Sequence, residues 1–179
     1  MATQPILAED TTVVSTQQNY CDLGSHRLCL KKKALQLLHK VAGDDLKSYF
    51  GFVPQIQIIS LKEPNAFAVK EDNIFIAESL FDKLKSEDLL AFALLHEIGH
   101  LSLHNQRKAP LSLINEVEPK FYDQGLYREI EADIFACRAL EEDLDYNCLD
   151  ILNKLSKVLN KQENFKERLD FISRFNNLK

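Results

Sequence analysis

The chain has 179 residues, 22 of them basic and 27 acidic, which gives a net charge of −5. That length suits one domain able to bury about two-thirds of its unfolded surface. The charge balance argues against nucleic-acid binding by bulk attraction. The longest apolar run, Leu89 to Leu95, is far short of a membrane span, so no integral membrane segment is expected.

Residues 1–20 are rich in Thr, Gln and Ser with little periodicity. They read as a flexible N-terminal tail, or as a segment that folds over the site, ahead of a single domain at 21–179. No basic segment followed by an apolar stretch marks a secretory signal. Cys21, Cys29, Cys137 and Cys148 follow no metal or redox spacing. They read as free buried thiols in a reducing compartment. The expected location is the cytoplasm, with signal-independent export left open.

From Arg27 to about Phe50 the apolar residues are mainly helically spaced, with Gly43 and Asp44 as a candidate break. Pro54 opens a change of period. Gln55 to Leu61 alternates and is β-branched, which predicts a strand. Ala66–Val69 and Ile74–Ala77 predict two more strands, joined by the polar four-residue loop Lys70-Glu71-Asp72-Asn73. A short helix is expected at Ser79–Leu84. Ser86 is a good N-cap, and Glu87 and Asp88 suit the first turn of a helix that runs to about His104. Residues 105–122, with Pro110 and Pro119, read as a loop with room for a short helix. Further helices are expected around Leu126–Leu140, from Cys148 to Leu159, and over Phe165–Phe175. The expected fold class is α+β: a small, mostly antiparallel sheet packed on a helical core, with a zinc site between two helices.

The helix after Ser86 contains His96-Glu97-Ile98-Gly99-His100. Residues four apart share a helix face, so His96 and His100 can both present a ring nitrogen to one ion. Glu97 lies about 100° round, where it can handle a proton. Three ionisable groups in an otherwise apolar helix are costly unless a cation compensates them. A catalytic zinc needs a third protein ligand. His104 continues the same straight helix and cannot wrap round the same ion. Glu129-x-x-x-Asp133, with small Ala132 and Ala136, supplies an acidic face opposite Ile130, Ile134 and Phe135. Glu129 is therefore read as the third ligand and Asp133 as the carboxylate that orients a ligand histidine. The alternative is that both acids lie on a solvated face with Glu131.

These motifs, with Pro64-Asn65-Ala66-Phe67-Ala68, Ile74-Phe75-Ile76 and Ser86-Glu87-Asp88-Leu89-Leu90, resemble a known pattern. It is that of gluzincin zinc metallopeptidases, within them the family of the CAAX prenyl endopeptidase and HtpX, whose small soluble members are called minigluzincins. The similarity covers roughly residues 50 to 175. It implies that Asn65, Ala66 and Phe67 line the cleft at a substrate-binding sheet edge. It also matches Arg168 to an arginine that helps stabilise the transition state. Gln162-Glu163 stand where the family has His-Pro, a departure at the same function. The transmembrane helices of larger members are missing, so a prenylated substrate is not implied.

The expected function is a zinc-dependent endopeptidase with one Zn2+ per chain and a protein or peptide substrate. Glu97 would take a proton from the zinc-coordinated water, and Arg168, or else Tyr122 or Tyr127, would stabilise the oxyanion. Two alternatives stand beside it: a regulatory peptidase specific for one protein partner, and a non-catalytic module whose zinc is closed by a fourth ligand.

Overall fold

The computed structural model describes residues 26–104 and 124–176. The expectations for the tail at 1–20, the loop at 105–122 and the side chain of His104 lie outside what is described. Helix α1, His26–Ala42, and helix α2, Leu46–Phe50, divide at Gly43, whose φ of +67° is a left-handed helix stop. Its N–H bonds the His39 carbonyl at 3.0 Å. Asp45 then caps α2 by accepting from the Ser48 N–H at 3.0 Å.

Three strands follow: β1 Gln55–Ile59, β2 Ala66–Val69 and β3 Asn73–Ala77, in the order β1-β3-β2. β2 pairs with β3 antiparallel, with Ala66 opposite Ile76, but β1 pairs with β3 parallel, with Ile56 opposite Ile74. The sheet is mixed, which corrects the mostly antiparallel expectation. A tight turn forces β2 and β3 to run in opposite senses. β1 takes the other flank of β3, so the chain passes β3, forms β2 and returns alongside β1. Alternation identifies a strand but carries no direction for its neighbour. The turn itself is one residue shorter than expected. Glu71 and Asp72 adopt φ values of 66° and 65°, and Asn73 already belongs to β3. The Asn73 amide donates to the carbonyls of Lys70 at 3.3 Å and Glu71 at 3.0 Å, which closes the turn.

The helices α3 Glu78–Lys83, α4 Glu87–His104, α5 Gln124–Leu144, α6 Cys148–Val158 and α7 Gln162–Asn176 complete the described fold. The sheet packs on α1 and α4, and α4 lies along α5. Leu90, Leu94, Leu95 and Ile98 of α4 are fully buried, because this helix has protein on nearly every side. No described helix is long and apolar enough to cross a membrane.

Gly99 is the point where α4 meets α5. A Cβ there would lie 3.0 Å from the Ala132 Cα and 3.2 Å from its carbonyl oxygen. Both are backbone atoms, so no side-chain rotation relieves the clash. We predict that Gly99→Ala costs about 1–3 kcal/mol and lowers the melting temperature by several degrees. A variant melting within a degree of the parent would contradict this packing.

Cys137 and Cys148 form a disulfide, with Cα atoms 5.1 Å apart, and Cys29 is also disulfide-bonded. This corrects the free-thiol expectation. Asp145, at φ 54°, turns the chain between α5 and α6, and the Tyr146 N–H returns to the Leu140 carbonyl. Residues remote on a helical ruler thereby meet, which spacing alone did not reveal. A loop this short gains about 3 kcal/mol from its bridge on chain-entropy grounds. The thiols no longer support a reducing compartment.

Candidate metal centre

α4 and α5 bring three donors together. His96 Nε2 and His100 Nε2 lie 3.0 Å apart. The Glu129 carboxylate is 3.4 Å from the first and 3.3 Å from the second. Among the described residues, His96, His100 and Glu129 are the group that could hold a metal ion. Donors about 2.0–2.1 Å from a tetrahedral ion stand about 3.3–3.5 Å from one another. The observed spacings are close to that, and two imidazoles with one carboxylate suit zinc better than magnesium or calcium.

A buried layer of charge lies behind the donors. His96 Nδ1 is 2.8 Å from Asp133 Oδ1, and Asp133 is wholly buried. Arg168 on α7 donates to both Asp133 oxygens, through Nε at 2.6 Å and Nη2 at 2.5 Å. Its third nitrogen, Nη1, reaches Glu129 at 3.2 Å. The guanidinium lies 4.4 Å from the centre of the Phe165 ring. Arg168 is thus engaged with the two carboxylates, and it also borders the cavity beside the cluster.

Charge states follow from this packing. Burial disfavours the His96 imidazolium, but its hydrogen bonds with Asp133 and Glu129 outweigh that and lift its pKa to about 9. Hydrogen bonds with His100 and His96 hold Glu129 well below the usual carboxylate range, against its burial. Burial pushes Asp133 up, yet the Arg168 charge and the His96 hydrogen bond bring it below its ordinary value. An incoming cation must therefore displace a proton from His96.

Glu97 is buried and set apart from this network. Its Oε2 accepts from the Ala68 N–H of β2 at 2.8 Å. β2 is an edge strand, and the Ala68 N–H lies on its side away from β3, at the open edge of the sheet. Burial raises the Glu97 pKa, while the charges of His96 and His100 oppose the rise. Asn65 and Ala66 border a cavity of about 350 Å³ that also touches His96 and Glu97. Phe67 does not border it. The residue is 37% exposed and its ring stacks on Phe75 with centroids 5.4 Å apart, as period-two alternation along β2 allows.

Two expectations about neighbouring groups change. Glu131 is only 8% exposed and bonds with Tyr127, so it does not lie on a solvated face. Burial and that carboxylate push the Tyr127 hydroxyl up to about 12, and Tyr127 does not border the cavity. Tyr122 lies outside the described residues. Sequence reasoning missed the Ala68 N–H and the hold of Arg168 on Asp133. The i, i+3 pair Phe165 and Arg168 was the available signal for the second, since a cation three residues past an aromatic ring stacks on it.

No curated protein and no solved structure matches the chain. Residues 31–119 match the family model for peptidase family M48. The match contains the sheet, its open edge and the His-Glu-x-x-His helix, and ends before Glu129, which the fold brings back to that helix. Over those residues the chain is similar to peptidase family M48, and the match supports a gluzincin-type metallopeptidase.

Proposed function

We propose that the chain is a zinc-dependent endopeptidase whose ion is held by His96, His100 and Glu129. The observation that carries this reading is the convergence of three donors at near-tetrahedral spacing beside a carboxylate anchored to an open sheet edge. Among the described residues the cluster offers three donors, not four. That favours a catalytic over a closed structural site.

A bound zinc ion supplies Lewis acidity to the reacting oxygen atoms. The remaining steps belong to the chain. Glu97, fixed through one oxygen by Ala68, takes the proton of the attacking water on its carboxylate and delivers it to the leaving amine. Asp133 accepts from His96 Nδ1 and so keeps Nε2 directed at the cluster. Arg168 holds Asp133 and Glu129 in register, a positioning role in place of the oxyanion role implied by the resemblance. The Ala66 peptide, two residues before Ala68, faces the same edge and can pair with an extended substrate backbone.

Zinc-replete protein should carry about one zinc per chain and digest a peptide library, with cleavage abolished by a chelator and restored by zinc. Protein that takes up no zinc from a replete medium would overturn the reading. So would cleavage that persists unchanged in chelator.

A further inference from the structure

The metal cluster stands between two cavities of different chemistry, both bordered by β2. At its start, beside Asn65 and Ala66, lies the cavity of about 350 Å³. Leu80, Phe92, Leu155 and Leu159 wall it, and the exposed Lys161 is also part of its border. At the end of β2, beside Ala68 and Val69, lies a second cavity of about 380 Å³ that includes His100. Lys70 and Arg128 line it, and among the described residues its one acid is Glu129, which is turned to the cluster. Arg128 also acts on the Glu131 carboxylate.

An extended peptide laid on the β2 edge spans both cavities, with its scissile bond at the cluster. Antiparallel pairing is the more stable per residue. The peptide then runs against β2, so its N-terminal part meets Lys70 and Arg128 and its C-terminal part meets the leucine-walled cavity. We infer that this cleft selects peptides with an acidic residue on the N-terminal side of the cleaved bond and a bulky apolar residue immediately after it. This rests on the endopeptidase reading and adds a substrate class to it.

A defined peptide library, digested by the zinc-loaded full chain and read by mass spectrometry, tests the inference. Leu or Phe directly after the bond should be favoured over Gly by about tenfold or more, as burial of one large apolar side chain requires. Asp or Glu before the bond should be favoured over Lys by about fivefold, the scale of two rim charges. In the double variant Lys70→Glu with Arg128→Glu the charge preference should invert while the apolar preference stays. Cleavage indifferent to these positions, or with the two preferences exchanged about the bond, overturns the inference and leaves the endopeptidase standing. If nothing is cleaved, that reading fails, and binding decides the cleft. The same peptides, labelled and titrated against the zinc-loaded protein by fluorescence anisotropy, should bind in the same order of preference. Equal binding of acidic-apolar and basic-glycine peptides would overturn the inference.

Discussion

Glu129→Ala is expected to lose zinc affinity and peptidase activity together, while Glu131→Ala keeps both. The two acids are about 200° apart on one helix, so they meet different surroundings. The Glu129 carboxylate reaches both imidazoles at 3.3–3.4 Å and the Arg168 guanidinium at 3.2 Å. Its removal deletes one donor of three and frees part of the arginine that orients the rest. Glu131 instead bonds with Tyr127. Its removal should lower stability by about 1 kcal/mol, because a partly buried hydroxyl loses its acceptor. Asp133→Asn lies between these extremes, at about 10- to 100-fold in zinc affinity or activity. It also leaves the buried Arg168 charge with a weaker partner, so its melting temperature should fall as well. Titration against a chromophoric chelator separates the cases. Zinc retained at parental affinity by Glu129→Ala and lost by Glu131→Ala would reverse the ligand assignment.

Much of this site was legible before any fold was known, because its key spacings are local. His96 and His100 are one turn apart, and their face is fixed by helix geometry whatever surrounds them. The same holds for Glu129 and Asp133. What joins the two pairs is tertiary: Gly99 lets the Ala132 backbone approach α4, and nothing in the two helices taken separately states that distance. Arg168 shows where residue-level reasoning stops. The resemblance implied a cation near the cleft, but only the packing of α7 on α5 decides that its donors go to Asp133 and Glu129. Glu131 is likewise decided by packing: polar Arg128 stands near it in sequence, yet the fold leaves it 8% exposed beside Tyr127. The sheet was legible as three strands but not as a mixed sheet, since pairing direction depends on which flank of β3 receives β1. The cysteines failed for the same reason, as the α5–α6 turn brings Cys137 to Cys148.

Glu97→Gln is expected to lower activity by about 10²- to 10⁴-fold while leaving zinc content unchanged. Glutamine keeps the length of the side chain, and its carbonyl oxygen can still accept from the Ala68 N–H, so the local fold should persist. It cannot take up a proton from water, so the transfer to the leaving amine has no carrier. The substitution also removes a buried negative charge beside two imidazoles, which should lower the pKa of a metal-free His96, since the Glu97 charge contributes to its elevation. Less proton must then be displaced by the ion, but the ion also loses the attraction of that charge, and the two effects oppose each other. Zinc affinity at neutral pH should therefore stay close to the parent's, measured by chelator competition alongside turnover of a fluorogenic peptide. An active Glu97→Gln protein would show that another group moves the proton, and a zinc-free one would mean that Glu97 supports the ion directly.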